Sequence, residues 1–411
     1  MKPASTSHET EVRGGNMQTD STKRATSRVS TVLVCLACVV ALAVSVAGRA
    51  QSGGDDVPVP RYEIDPFWPK PLPNNWLMKD IPRVAVDQQD RVWIITRGEE
   101  ITPAEAGLEQ DPPTALCCRM PPTVMAFDQE GNLVYAWGKK DGYLPNGQQM
   151  YRRRVRALAL DGDGNVWVGG NDPGDTLLQF TPDGKFLREF GRRGPVVPGN
   201  QQKPDNQQTE YLVRGPTNPT IDPETGELYI DDVQVNKRIL VYDLATGAFK
   251  RGWGGHGIPL SDIDNDPIPP FDPAGPPRKH FTPTSHCAKI SQDRLVYVCN
   301  RGGDSIQVFT TQGEFVKEFF LYRSTADGGQ RIFDVVFSHD PQQKYMFVSD
   351  GTNGVIWILQ RDDGAIVGSV GRKGRMAGEL YVPNGIAVDS QGNLYVGEVG
   401  GAGRVQKFVL Q

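Results

Sequence analysis

The sequence predicts an all-β fold, a six-bladed β-propeller closed by an N-terminal outer strand, and three observations support this prediction. One unit recurs six times along the chain. It consists of an apolar run, a turn, a second apolar run and a third run that ends in an aromatic residue. A repeat of roughly 45 to 70 residues with three or four short strands is typical of radial β-repeats. The 46 glycines and 32 prolines indicate many turns, and no long apolar stretch of helical period follows the N-terminal region.

The units share strand and turn signals that place each element. The clearest copies span residues 156–191 and 384–408, and weaker copies begin near Pro82, Thr217, Ser285 and Phe333. In the last copy, period-2 alternation predicts strands over 385–389, 394–398 and 404–410. Turns such as DGDGN at 161–165 supply the positive-φ positions that tight hairpins require.

The sixth unit lacks an outer strand, because the chain ends at Gln411 directly after the third strand. Residues 62–68 (YEIDPFW) precede the first unit, alternate like a strand and have no other partner. We therefore predict that this segment is the missing outer strand of the sixth blade. Closing the ring in this way also covers an edge that otherwise invites aggregation.

Residues 1–50 have the pattern of an export signal. A basic, polar segment precedes the apolar run 31–47, and small residues lead to a cleavage site after Ala50. We therefore expect an exported, periplasmic or extracellular protein. An uncleaved anchor formed by residues 31–47 is the alternative, although this run is short for a membrane-spanning helix. Residues 51–60 form a linker, and residues 61–411 form the propeller.

Charge and loop lengths restrict the class of partner. The net charge is −5 and the repeats contain no block rich in Lys and Arg, so we exclude nucleic acid as a partner. Long inserts at 99–122, 139–154, 195–214 and 256–279 separate the predicted strands, and such loops in compact domains are often binding elements. They emerge on one face of a propeller. We expect a monomer that binds a small molecule, a peptide or a protein there, and that meets a membrane only through its N-terminal segment.

Four cysteines lie outside the apolar N-terminal run. Cys287 and Cys299 flank a predicted turn, so on adjacent antiparallel strands they face each other and favour a cross-strand disulfide. The alternative joins Cys117 or Cys118 to one of them, and free buried thiols are a third possibility. The sequence does not decide the pairing of Cys117 and Cys118.

The predicted frame brings polar residues to one end of the central channel, which we call the channel mouth. Convergent charges in a concave site indicate ligand binding or perturbed pKa values. We predict Arg97, Arg301 and His286 as catalytic candidates, with the two arginines suited to a carboxylate or an oxyanion. Pairing of these arginines with nearby carboxylates in a structural network is the alternative. The remaining candidates bind the ligand: Arg156, Asn171, Asp232, Asp334, Asp350, Asn384 and Glu398. Asp231 is the alternative to Asp232 at the end of its strand.

Several segments resemble known propellers. The D-x-x-G-N-[LV]-[YW]-V pattern in the first and last clear copies resembles the NHL repeat. Residues 298–309 (VCNRGGDSIQVF), 231–240 (DDVQVNKRIL) and 93–98 (WIITRG) are similar to segments of peptidyl-α-hydroxyglycine α-amidating lyase. The resemblance covers about residues 80–411.

The resemblance implies a zinc ion held by three histidines at the starts of inner strands, with two arginines and a tyrosine nearby. His286 matches one zinc ligand, and Arg97 and Arg301 match the arginines. The other positions depart from the family pattern: the two remaining ligand positions hold Arg156 and Asn384, and the tyrosine position holds Gln234.

These observations leave three hypotheses. The first is an exported NHL-type propeller that binds a ligand at the channel mouth without a catalytic centre. The second is a lyase or hydrolase related to the amidating lyase, with a modified zinc site at His286. The third is a calcium-dependent lactonase, since Glu398, Asp350 and Asn171 offer the oxygen ligands that Ca²⁺ prefers.

Overall fold

Six four-stranded antiparallel sheets form the protein, one for each predicted unit. The computed structural model describes residues 57–138, 154–170, 176–194, 203–210, 216–233, 235–282, 286–322 and 331–411. The predicted six-bladed β-propeller is therefore confirmed. The predicted signal and most of the linker lie outside the described residues. Among the described residues, no helix is long and apolar enough to cross a membrane.

The blades are numbered in chain order, and strands run from the channel outward. Blade 1 contains β2 (Arg83–Val86), β3 (Val92–Ile95), β4 (Val124–Phe127) and β5 (Leu133–Trp137). Blade 2 contains β6 (Val155–Leu160), β7 (Val166–Gly170), β8 (Leu177–Phe180) and β9 (Phe186–Phe190). Blade 3 contains β10 (Thr220–Asp222), β11 (Glu227–Asp232), β12 (Arg238–Asp243) and β13 (Phe249–Gly254).

The second half of the ring repeats this order. Blade 4 contains β14 (Ala288–Ile290), β15 (Leu295–Asn300), β16 (Ser305–Thr310) and β17 (Phe315–Phe320). Blade 5 contains β18 (Ile332–Phe337), β19 (Tyr345–Asp350), β20 (Val355–Gln360) and β21 (Ile366–Val370). Blade 6 contains β22 (Pro383–Val388), β23 (Leu394–Glu398), β24 (Val405–Leu410) and, outermost, β1 (Tyr62–Asp65).

Helical structure among the described residues is limited to short 3-10 turns. They lie in the connections between strands, mostly on the face that carries the long inserts. Their bounds are Pro73–Asn75, Gly98–Glu100, Gly107–Glu109, Gly255–Gly257, Leu260–Asp262 and Arg301–Gly303.

The N-terminal strand closes the ring as the sequence predicted. β1 pairs antiparallel with β24, with Tyr62 opposite Leu410 and Asp65 opposite Lys407. It is shorter than the predicted 62–68, because Pro66 cannot donate a ladder hydrogen bond and the Phe67 amide donates to the Asp65 carboxylate at 3.0 Å. Blade 6 is thus assembled from both ends of the described chain.

A repeated aspartate organises the turns between first and second strands. In blade 2, Asp161 accepts the amides of Asp163 and Asn165 with one oxygen. Its other oxygen accepts from the Asn165 amide, the Trp167 indole and the Gln179 amide. One carboxylate therefore fixes the turn and orients a core tryptophan, which is why the D-x-x-G-N-x-[YW] pattern recurs.

Apolar clusters fill the space between neighbouring blades, one at each of the six blade boundaries. The second-strand aromatic residue is fully or almost fully buried in each case described, as for Trp93, Trp167 and Tyr395. Burial of side chains this large dominates the energetics of such a core. The blades are therefore held by side-chain packing, since the sheets share no ladder hydrogen bonds.

Two disulfides are present among the described cysteines. Cys287, directly before β14, is joined to Cys299 in the adjacent strand β15, so the predicted pair is confirmed. The other disulfide joins the adjacent residues Cys117 and Cys118, in the exposed insert between β3 and β4. The alternative in which one of these is bonded to Cys287 or Cys299 is therefore wrong.

Candidate functional site

In each blade, one residue lies at or just before the channel-mouth end of the inner strand. These six ring positions each lie five residues before the first residue of the turn that follows the inner strand. Because the spacing is constant, the blades present equivalent side chains at the same height. The ring positions hold Pro82, Arg156, Thr217, His286, Phe333 and Asn384.

Arg83 crosses the channel just below this ring. Its guanidinium donates to the Pro82 carbonyl and to Asn384 Oδ1 at 2.9 Å, and to the Thr217 and His286 carbonyls at 3.3 and 3.2 Å. It is 1% exposed. Beyond it the channel continues as a cavity of about 340 Å³ lined by the six inner strands. Arg83 therefore forms the floor of the mouth.

His286 is held in one tautomer by its neighbours. Arg156 Nη2 lies 2.7 Å from His286 Nε2, and Arg301 Nη1 lies 3.4 Å from the same nitrogen. A guanidinium only donates, so Nε2 accepts, and Nδ1 carries the hydrogen that points to the Phe333 carbonyl at 3.2 Å. Burial and then the charge of Arg156 lower the pKa of His286 well below its usual value. The imidazole is therefore neutral.

Phe333 supports the two groups on its side of the mouth. The Arg301 guanidinium lies 3.9 Å from the centre of the Phe333 ring, and the His286 ring meets Phe333 edge-on at 4.9 Å. Gly351 allows this placement, because a Cβ there would lie 2.3 Å from the Phe333 ring. Cation–π contacts of this kind hold an arginine without neutralising it.

The positive charges of the arginines at the mouth repel one another and lower one another's pKa. Burial, then the charges of Arg83, Arg97 and Arg301, lower the pKa of Arg156 well below its usual value. Burial and the charge of Arg83 lower the pKa of Arg301 to about 10. These shifts describe a cluster of like charges in a poorly solvated site. Such a cluster favours any anion that can enter.

Arg97 lies at the edge of this cluster, beside an acidic group. Its Nε donates to the Val155 carbonyl at 3.3 Å, and its Nη1 lies 3.5 Å from Asp80. Glu99 and Glu100 follow it, and burial raises the pKa of Glu99 to about 7. Arg97 thus lies among carboxylates at the edge of the cluster.

Asp231 and Asp232 point to opposite faces of β11. Asp232 accepts from Arg238 Nε and from the Asn236 amide, both at 2.8 Å, inside blade 3. Asp231 occupies the position equivalent to Ser349 and Gly397, which face the first strand of the following blade. It is fully buried, and among the described residues neither of its carboxylate oxygens has a hydrogen-bond partner.

The other predicted carboxylates separate into two groups. Asp350 accepts from Asn353 and the Trp357 indole, and Glu398 accepts from Arg404, Gln406 and the Tyr381 amide. With Asp232, they stabilise the loops of their own blades and are not gathered at the mouth. Asp334 lies in the channel wall, where it accepts from Asn218 and lies 3.7 Å from Lys289. Asn171 lies outside the described residues.

The residues at the ring positions do not fit a zinc ion. Both His286 nitrogens are engaged, Arg156 occupies one of the positions that a second histidine takes in the resembling family, and Asn384 Oδ1 accepts from Arg83. A cationic guanidinium on the only available imidazole nitrogen opposes metal binding. Within the part of the chain that is described, no three His, Cys, Asp or Glu side chains are placed to hold a metal ion.

The structure thus joins some of the predicted site residues and adds others. Arg156 and Arg301 both contact His286, Asn384 joins them through Arg83, and Arg97 borders them. Sequence reasoning missed Arg83 and Phe333. The constant five-residue spacing between ring position and turn identifies Phe333 in blade 5. In blade 1 the same spacing identifies Pro82, not Arg83.

Comparisons with known proteins agree with this architecture. The profile of the NHL repeat matches residues 380–408, and that of the two component regulator propeller matches residues 152–172. The peptidyl-glycine alpha-amidating monooxygenase of Mus musculus is 24% identical over 217 residues, and that of Rattus norvegicus is 25% identical over 217 residues. Each match covers 52% of this chain and 18% of the relative.

Two solved structures, both of lyases, show weak structural similarity to this chain. A streptogramin B lyase has 12% sequence identity and a TM-score of 0.47, covering 86% of this chain and 98% of its own. The virginiamycin B lyase of Staphylococcus aureus has 12% identity and a TM-score of 0.43, covering 81% and 85%. The chain thus carries a segment that matches the NHL repeat, and about half of it is similar to amidating monooxygenases, of whose length the match covers about a fifth.

Proposed function

We propose that this propeller binds a small carboxylate-bearing ligand at the channel mouth, between Arg156 and Arg301. The observation that carries the proposal is the approach of both guanidinium groups to one nitrogen of a neutral histidine, at 2.7 and 3.4 Å. Two arginines do not gather around a neutral group for mutual stabilisation, because their charges repel. An anion bound between them relieves this repulsion.

The arrangement suits a planar anion. Guanidinium groups donate in a fixed fork that matches carboxylate oxygens, and such charge-assisted bonds are stronger than neutral ones. Phe333 holds the Arg301 group in place, which reduces the entropy lost on binding. Arg83 closes the channel below, so the ligand rests on the floor of the mouth rather than passing through.

Thermal unfolding with a charged and an uncharged probe tests the proposal. Succinate at a concentration well above its Kd is expected to raise the Tm by about 2 °C or more, because ligand that binds only the folded state stabilises it. Succinamide, which has the same carbon skeleton without charge, is expected to leave the Tm unchanged. The Arg156→Ala and Arg301→Ala variants are expected to lose the response to succinate.

The control variant is Arg372→Ala. This substitution also removes one positive charge, but from a side chain that is 82% exposed on the surface. It is expected to keep the response. If succinate and succinamide shift the Tm equally, or if Arg372→Ala loses as much as Arg156→Ala, the proposed site is wrong.

A second candidate function is a lyase or hydrolase related to the amidating lyases. The 217-residue match to amidating monooxygenases favours it, although that match covers only 18% of those proteins. Metal analysis and turnover of a peptidyl-α-hydroxyglycine test it. Turnover that is lost in both Arg97→Ala and Arg301→Ala supports the enzyme, whereas ligand binding without turnover supports the binding protein alone.

We further propose that the protein is exported and acts as a monomer. The basic segment, the apolar run 31–47 and the small residues up to Ala50 support export. N-terminal sequencing of protein recovered outside the cytoplasm distinguishes cleavage after Ala50 from a retained anchor. A dimer mass in light scattering would contradict the monomer.

A further inference from the structure

Asp231 is the one charged residue at its position in the second strands. The equivalent residues in the other blades are Ile95, Gly169, Cys299, Ser349 and Gly397. Small or apolar residues suit this position, because it packs against the first strand of the next blade. A carboxylate buried here, without a hydrogen-bond donor among the described residues, is costly and departs from the pattern of the other five blades.

The charges around Asp231 come from three blades. Arg156 of blade 2 and Arg83 of blade 1 attract its carboxylate, and Asp232 on its own strand repels it. Asp232 is itself paired with Arg238, which weakens that repulsion. On the side of blade 4 the ring residue is His286, which is neutral.

Burial outweighs these attractions and raises the pKa of Asp231 to about 8. The mouth therefore meets a ligand at neutral pH with Asp231 protonated and the arginines charged. When Asp231 ionises, its charge is attracted by Arg156, one of the two guanidinium groups that the ligand needs. The two anions then compete.

We propose that, in the alkaline range where Asp231 is ionised before binding, the channel mouth takes up its carboxylate ligand together with one proton, and that Asp231 carries this proton. The inference rests on the proposed function and adds its regulation: ligand affinity is high while Asp231 is protonated and falls as it ionises. The proton comes from solvent and forms an O–H bond on the carboxylate. No other bond changes.

Isothermal titration of the full chain with succinate between pH 6.5 and 9.5 tests this proposal. The Kd is expected to be constant up to about pH 8 and then to weaken by up to about tenfold per pH unit. Titrations at pH 9 in two buffers of different ionisation enthalpy are expected to give an uptake approaching one proton per succinate bound. This proton count uses the unmodified protein and needs no variant to fold.

Three variants assign the proton. Asp231→Asn is expected to remove the pH dependence between 8 and 9.5. Glu99→Gln keeps it, since Glu99 has a pKa of about 7 and acts on Arg97. Asp293→Asn also keeps it, because that carboxylate pairs with Arg361 near the turn between β14 and β15, at the opposite face. Arg301, with a pKa of about 10, keeps its charge through most of the range.

The outcomes separate the two proposals. Absence of succinate binding at every pH overturns the proposed function. Binding with a constant Kd across the range, or without proton uptake at pH 9, overturns the proton linkage alone. A dependence that persists in Asp231→Asn assigns the proton to another group and also overturns it.

Discussion

Asp231 differs from the other second-strand carboxylates because no donor within the described ranges offsets its burial. Asp232, one residue later, accepts from Arg238 and Asn236, and Asp350 and Glu398 have comparable partners. Successive side chains of a strand point to opposite faces, so adjacent aspartates of identical charge have opposite surroundings. A single residue step therefore separates a stabilising carboxylate from a destabilising one.

The Asp231→Asn variant is expected to gain stability over the native chain as pH rises. The unfolded aspartate titrates near 3.9, so between about pH 4 and 8 the folded state holds a proton that the unfolded state has released. The native chain therefore loses about 1.4 kcal/mol per pH unit in this window and no more above it. Urea unfolding at pH 5 and pH 8 measures the difference.

The asparagine variant cannot ionise, so its stability relative to the native chain reports the titration of this one group. Asp293→Asn serves as the control. The difference in unfolding free energy between this variant and the native chain should change little between pH 5 and pH 8. An equal stability difference at both pH values for Asp231→Asn would show that Asp231 is ionised in the folded state at neutral pH.

At the scale of elements, β1 completes blade 6 by crossing from the start of the propeller to its end. Tyr62 and Ile64 pack into the cluster between blades 5 and 6, and Tyr62 also meets Phe347 edge-on. The chain then continues to Trp68, which is 4% exposed, packs on Phe127 and Tyr395, and donates to the Asp128 carbonyl. This segment fastens both ends of the ring.

Deleting residues 61–70 is expected to abolish cooperative folding. The deletion removes the burial of Tyr62, Ile64 and Trp68, and loss of a buried tryptophan side chain alone costs about 3–5 kcal/mol. A domain has about 5–15 kcal/mol in total. The exposed edge of β24 also becomes free to pair with other chains.

Circular dichroism during heating and the soluble yield measure this outcome. Glu63→Ser provides the control within the same strand, because Glu63 faces solvent and its backbone pairing with Val409 is retained. A soluble deletion variant with an unchanged Tm would show that the ring is stable with an open sixth blade.

The whole ring is held by contacts that join blades far apart in sequence. On the face opposite the mouth, Arg294 pairs with Asp222, Arg361 with Asp293, and Ser390 with Asp90. Each of these ties neighbouring blades. Arg83 instead joins blade 1 to blades 3, 4 and 6 through the Thr217 carbonyl, the His286 carbonyl and Asn384.

Arg83→Ala is expected to lower the free energy of unfolding by about 3 kcal/mol. The substitution leaves buried acceptors on three blades without a donor, at about 1–3 kcal/mol each, and relief of repulsion among the arginines offsets part of this cost. Urea unfolding monitored by tryptophan fluorescence gives the value. Arg372→Ala, an exposed change, is expected to stay within about 0.5 kcal/mol of the native chain.

An Arg83→Ala variant as stable as the native chain would mean that the repulsion between Arg83 and the other arginines costs as much free energy as its hydrogen bonds contribute. In that case the channel floor contributes nothing to the stability of the ring.

The sequence by itself determined the repeating unit and the closing strand, and it favoured the cross-strand disulfide. These depend on local signals: turn chemistry, period-2 alternation and the register of one hairpin. The constant spacing from turn to ring position also brought Arg156, His286 and Asn384 to one end of the channel, and Arg301 follows from the end of its strand.

Only the tertiary structure decided what these residues do together. It showed that Arg83 reaches across the channel, that Asp231 faces the next blade while Asp232 does not, and that Cys117 pairs with Cys118. The physical reason is that a one-residue step reverses the face of a strand, and a long side chain makes its bonds several ångströms from its backbone. Composition and spacing specify where the backbone of a residue lies, whereas the packing of six blades specifies which partners its side chain contacts.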